Sequence, residues 1–227
     1  MHWIDPDHLP EAIGIVDRFL LNLEGEADGL VFSDGTEVHY PPHMGDAVLA
    51  AVRPGGKVRV RGVRPRGVAM ISAVSIAAEE GKLIVDAGPP KDDADRKAAH
   101  KRSRGARRPM DMQGIVRQAL HGPKGEVRGL LLEDGRAGRF PPHAAEAAAG
   151  FLVAGAPVVL RGDAVVTDHG TVLAVHAIGR SAAELRPLEA GKPPKKHGPG
   201  PGGKSKPPRH GPHGGRPHTD HHYPDRG

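Results

Sequence analysis

Gly29-Leu30-Val31-Phe32-Ser33-Asp34-Gly35-Thr36-Glu37-Val38-His39-Tyr40-Pro41-Pro42-His43 returns one hundred positions later as Gly129-Leu130-Leu131-Leu132-Glu133-Asp134-Gly135-Arg136-Ala137-Gly138-Arg139-Phe140-Pro141-Pro142-His143. In both copies Asp-Gly stands between short alternating apolar runs. That is the strongest local signal for a β-hairpin, and a two-residue turn of this kind asks both central residues to tolerate positive φ. Pro-Pro then ends the ladder, because proline has no N–H to donate. Outward from this stretch the match continues through Gly14-Ile15-Val16 and Gly114-Ile115-Val116, Gly25-Glu26 and Gly125-Glu126, Gly55 and Gly155, Val58 and Val158, and Arg61-Gly62 and Arg161-Gly162. Positions 14–62 and 114–162 share 18 identities in 49 without a gap. A repeat of that length is the first thing to settle, and it says that the two halves share one fold.

Each copy reads as a strand over about 12–20 (112–120), a glycine-containing loop, and the hairpin strands 30–33 and 36–40. A short helix over His43–Val52 (144–153 in the second copy) follows, with Met44, Val48, Leu49 and Val52 at helical spacing, and Gly55 or Gly155 ends it. A fourth strand covers 57–62, where Val58 and Val60 alternate with Arg59 and Arg61. A fifth covers about 68–76 (171–178), after a loop two residues longer in the second copy. The order β-β-β-α-β-β matches the five-stranded Greek-key barrel of the OB-fold. The chain is therefore expected to be mainly β: a first OB-like domain over 12–87, a basic flexible linker over 88–111, a second OB-like domain over 112–185, and a disordered Gly/Pro/His/Lys-rich tail over 186–227.

The Gly-Ile-Val strand, the Gly-Glu-x-x-Gly-Leu stretch, the Asp-Gly hairpin, the aromatic-Pro-Pro-His step and the Arg-Gly end of the fourth strand together resemble small bacterial OB-fold nucleic-acid-binding domain proteins. The resemblance spans about two thirds of the chain. It implies a binding role, with single-stranded DNA or RNA as the class of partner.

Charge is distributed unevenly. The chain carries +5 overall, but 12–87 is slightly acidic and 112–185 is balanced, while 88–111 carries +4 and 186–227 carries +6. The basic residues expected to contact nucleic acid are Arg59, Arg61, Arg64 and Arg66 on the first copy, Lys101, Arg102, Arg104, Arg107 and Arg108 in the linker, and Lys195 and Lys196 in the tail. Such runs bind phosphate backbones through counterion release, without sequence preference. The loops differ in sign between copies: Glu24, Glu26 and Asp28 against His121, Lys124 and Arg128, then Arg64 and Arg66 against Asp163 and Asp168.

Alternation puts Leu30, Phe32, Val38 and Tyr40, and Leu130, Leu132 and Phe140, on the core face of the hairpin. The opposite face, with Val31, Ser33, Glu37 and His39 or Leu131, Glu133, Ala137 and Arg139, offers no aromatic platform for stacked bases. Val31 and Leu131 favour a second reading, a protein-interaction or scaffold module. They would serve as a pseudo-symmetric contact between the copies or as a surface covered by Trp3 and Ile4.

No cysteine is present, which excludes disulfides, thiolate zinc sites and cysteine nucleophiles. His43 and His143 recur at equivalent positions but have too few partners for a catalytic or metal site, and a capping role at the helix entrance is expected. The tail histidines 197, 210, 213, 218, 221 and 222 are scattered, Asp92, Asp93 and Asp95 fall in the linker, and no phosphate-cradling glycine loop occurs. The reading is of a non-enzymatic protein without cofactor or metal. With neither a signal peptide nor an apolar span, it is expected in the cytoplasm, and its composition suggests a bacterial source.

Overall fold

A computed structural model describes residues 6–79, 81–88 and 106–188. The first copy folds as β1 (Glu11–Leu21), β2 (Ala27–Phe32), β3 (Glu37–His39), α1 (Gly45–Ala51), β4 (Lys57–Val63), β5 (Met70–Ala78) and β6 (Leu83–Val85). The second gives β7 (Arg108–His121), β8 (Val127–Leu132), β9 (Ala137–Arg139), α2 (Ala145–Ala148), β10 (Pro157–Thr167), β11 (Gly170–Gly179) and β12 (Arg186–Pro187). In each copy the first strand pairs antiparallel with the second and the fourth, and a parallel pairing of the third strand on the fifth closes the barrel. These are two closed five-stranded OB-type barrels, and the strands of one never enter the other's sheet.

Several boundaries differ from the sequence reading. A sixth strand, β6 or β12, pairs on the fifth strand of each barrel. Arg108 already belongs to β7, so the second barrel begins four residues before 112, and it runs past 185 to Leu188, which is buried in its core. The helix is shorter than expected, because a 3-10 turn at Pro42–Met44 or Pro142–Ala144 takes its first residues. In the second barrel no long loop separates the fourth and fifth strands. Instead β10 continues to Thr167 and turns directly into β11. The hairpin turn is a three-residue loop. Phe32 N–H donates to Thr36, Gly35 N–H donates to Phe32, and Gly35 alone of that Asp-Gly pair is required at positive φ (87°). Lys101, Arg102, Arg104, Lys195, Lys196, the three linker aspartates and the tail histidines lie outside the described residues.

Both cores follow the alternation. Leu30, Phe32, Val38 and Tyr40 are buried with Val16, Val48, Val58, Val60 and Ile71 in the first barrel. Leu130, Leu132 and Phe140 are buried with Met112, Val116, Leu160 and Leu173 in the second. The repeated glycines have steric reasons. A β-carbon at Gly14 would overlap the Phe32 ring, so the Gly-Ile-Val strand needs no side chain where the hairpin's largest residue crosses it. Gly62 and Gly162 follow register shifts at Arg61 and Arg161, and a β-carbon there would overlap the Ser72 or Ala174 carbonyl of the neighbouring strand. The Arg-Gly signature thus marks a bulge that bends the strand around the barrel.

Phe32→Ala should lower the unfolding free energy by about 3–5 kcal/mol, and Gly162→Ala by about 1–3 kcal/mol through forced separation of β10 and β11. Gly150→Ala, which meets nothing within 4 Å, should be neutral or stabilising by under about 1 kcal/mol. Urea denaturation of the three variants checks the order.

Candidate nucleic-acid interface

The outer face of β2 and β3, flanked by the loops between strands one and two and between strands four and five, is the surface on which OB-folds usually take a single strand. Here that face is not open. Val31, Leu131 and Ala137 are buried with Leu20 and Leu120 in one apolar cluster shared by both copies, and Glu37 and His39 are buried beside it. The contact joins equivalent surfaces of the two barrels, which form one compact unit. Trp3 and Ile4 lie outside the described residues, so the observed cover for Val31 and Leu131 is the opposite barrel.

Polar contacts also cross this joint. Register shifts beside Val16 and Val116 place Asp17 and Arg117 in β-bulges, and bulges re-aim a side chain. Arg117 meets Asp17 at 2.8 Å, the two occupying the same position in their repeats. Gln118 Nε2 donates to the Gly35 carbonyl at 3.1 Å. Arg139 reaches the Leu21 carbonyl at 3.0 Å and the Asp28 carboxylate at 3.0 Å. Glu37, 1% exposed, takes the His121 backbone N–H at 3.0 Å, sits 2.7 Å from His121 Nδ1, and also lies 3.0 Å from His39 Nε2. Just ahead of β7, Arg107 binds the Leu23 carbonyl and lies 3.4 Å from Glu24.

Burial works to raise the Glu37 carboxyl, but hydrogen bonds from His121 and His39 outweigh it and hold the group below its ordinary value. Asp17 is likewise lowered against its burial, by Arg18 and Arg117. Asp28 moves the other way, since desolvation exceeds the attraction of Arg139. A cavity of about 350 Å³ opens beside this group, lined by Asp28, His39, Tyr40, His121, Arg128 and Arg139 among others.

The expected site residues are dispersed. Arg61 is held by Asp7 and Glu11, and Arg59 lies 3.3 Å from Glu11. These two arginines are therefore neutralised locally rather than presented as free charge, and they line a groove of about 700 Å³ with Ile13, Leu83 and Val85. Arg64 and Arg66 are exposed and have no ion-pair partner among the described residues. Their loop packs on the first loop of the second barrel: Gly125 sits against Pro65 and Val68, and the Ser72 hydroxyl faces the Pro123 carbonyl at 3.5 Å. Lys124, between Pro123 and Gly125, is exposed. His43 lies 2.9 Å from Asp86, while His143 is exposed. Among the described residues no group of three His, Asp or Glu is placed to hold a metal, and no helix is long and apolar enough to cross a membrane.

No protein-family model and no curated protein matches the chain. Among solved structures it is similar to a deletion mutant of the single-stranded DNA binding protein from Thermus aquaticus, at 16% identity and a TM-score of 0.25, covering 79% of this chain and 96% of that one. A superposition so loose adds nothing to what the strand order already says.

The residues that build the joint, Asp17, Arg117, His121 and Arg139, were absent from the sequence reading as a group. Only Asp17 and Arg117 carry a signal in the repeat, a reversal of sign at equivalent positions.

Because the Glu37 carboxyl is lowered on folding, its contribution is present above the unfolded value of about 4.3 and is lost as pH falls through the folded one. Glu37→Gln should cost about 1.5–3 kcal/mol at pH 7. Thermal melts of both proteins across the acid range should show that difference shrinking below about pH 4.

Proposed function

We propose that the protein binds single-stranded nucleic acid, weakly and without sequence preference, through basic side chains outside the usual OB cleft. The observation that carries this reading is that the loop bearing Arg64 and Arg66, exposed and unpaired among the described residues, packs on the second-barrel loop that bears exposed Lys124. The basic runs containing Lys101, Arg102, Arg104, Arg107 and Arg108, and Lys195 and Lys196 further on, extend the same chemistry. Neutralising several phosphates releases counterions, and this supplies affinity with no need to read bases. Arg59 and Arg61 contribute less, because Glu11 and Asp7 already occupy them.

A scaffold role is the second reading. It is favoured by an apolar strip on the outside of the first barrel, where Ile13 and Leu83 are 54% and 62% exposed along one groove.

Binding of a fluorescent oligothymidylate across a salt series separates the two. Replacing Arg64, Arg66 and Lys124 by Ala should weaken binding, and neutralising Arg102, Arg104 and Arg108 should weaken it further. The slope of log K against log salt should flatten by roughly 0.7 for each phosphate that is no longer neutralised. Absence of binding by the intact chain at low salt would leave the scaffold reading.

A further inference from the structure

The groove on the first barrel runs over the outer face of β1, β4, β5 and β6, a different surface from the joint. Strand register sets two rows of side chains across it: Glu11, Arg61, Ser75 and Val85, then Ile13, Arg59, Ala77 and Leu83. Ser75 and Ala77 are the small members, so both rows dip at β5, and Ile13 and Leu83 stand exposed on either side of the dip. Covering such a rim removes apolar surface from water. One end of the groove is closed by the turn Pro6–His8. Pro6 is buried there, and Arg61 anchors the turn through the Pro6 carbonyl at 3.5 Å and the Asp7 carboxylate. Whatever precedes Pro6 therefore starts at this end, and what precedes it is Met1-His2-Trp3-Ile4-Asp5.

We propose that residues 1–5 are the occupant of this groove, with the Trp3 indole covering Ser75 and Ala77 between Ile13 and Leu83. The reach suffices. Successive rows lie two residues apart along each strand, about 7 Å, and three residues of extended chain span at most about 10 Å, so Trp3 attains the second row from a start at Pro6. The chemistry fits as well. Arg59, its side chain 56% exposed, flanks that row with a guanidinium, and a guanidinium over an indole is a favoured cation–π pair. The repeat supplies an internal comparison. One hundred positions on, Gln113 replaces Ile13, and Ser103 and Arg104 replace Trp3 and Ile4. An apolar face and an apolar upstream segment thus occur together in one copy and are lost together in the other, as two halves of one contact would be. An extended peptide or a second copy of the chain has no such counterpart in the sequence. The inference does not rest on the nucleic-acid reading, and it gives the strip that favours a scaffold role an occupant within the chain.

Trp3 is the chain's single tryptophan, so its fluorescence reports on this contact in the full protein. In the native chain its emission should lie to the blue of that in the urea-unfolded chain, and acrylamide should quench it severalfold less efficiently. Ile13→Gln with Leu83→Ser alters two exposed side chains and leaves the barrel core alone. That variant should keep its far-ultraviolet circular dichroism, while its emission moves to the red and its quenching rises to the unfolded level. Should it fail to fold, Ile13→Gln by itself, which installs the residue of the second copy, should move both readouts the same way. Ile115→Gln, at an exposed position on the second barrel, should change neither. A native Trp3 as accessible to acrylamide as in urea overturns the proposal. So does a shielded Trp3 that ignores the groove variants, since it would then be covered elsewhere. Shielding that fades on dilution also overturns it, because the segment would then sit in the groove of a second copy.

Discussion

The burial of Leu20, Val31, Leu120, Leu131 and Ala137 against one another is the interaction on which the rest of this molecule depends. Each large apolar side chain taken from water stabilises the joint by about 1.5–3 kcal/mol. The ion pairs around it contribute less, because Asp17 and Arg117 each keep about a quarter of their side chain in solvent and exposed pairs are worth at most about 1 kcal/mol. Hydrophobic contact therefore holds the barrels together, and the charges decide which surfaces meet and in what register. Glu37 is the exception. A carboxylate this deeply buried is tolerable only with its hydrogen bonds made, and His39 and His121 make them from both barrels.

That joint covers the surface on which OB-folds usually take a single strand. An OB barrel with no stacking aromatics on its hairpin face could be a poor binder. It could equally be a barrel whose face has been assigned to another partner. Here each face is given to the other copy. The first barrel's outer groove, with Arg59 and Arg61 already held by Glu11 and Asp7, shows the same economy of free charge.

Much of this was legible in the sequence. The repeat, the Asp-Gly hairpins, the Pro-Pro steps and the core faces follow from local chemistry, and Leu30, Phe32, Val38, Tyr40 and Phe140 sit where alternation puts them. What was not legible depends on residues far apart in the chain. Val31 and Leu131 read correctly as a contact between copies, as one of two options. Glu37 and His39 read as an exposed polar face, because no local rule says that a glutamate on an outer strand face will be covered by a histidine 84 positions away. The extension of β10 escaped for a related reason. Asp163 and Asp168 look like loop residues, yet ladder pairing with β11 carries the strand through to Thr167.

The pairing of Asp17 with Arg117 has a consequence that concerns how the two copies relate. In a dimer of identical barrels joined through this surface, position 17 would meet its own copy, so any charge there would be set against itself. Opposite charges at that point are open only to two barrels whose sequences are free to differ, as they are when both lie on one chain. Tandem fusion thus converts a site of self-repulsion into one of attraction. It also makes each barrel a worse partner for itself than for its neighbour: a free first barrel would oppose acid to acid, and a free second barrel would oppose arginine to arginine. The covalent connection therefore allows the two halves to become complementary, where a symmetric dimer would have to keep them alike.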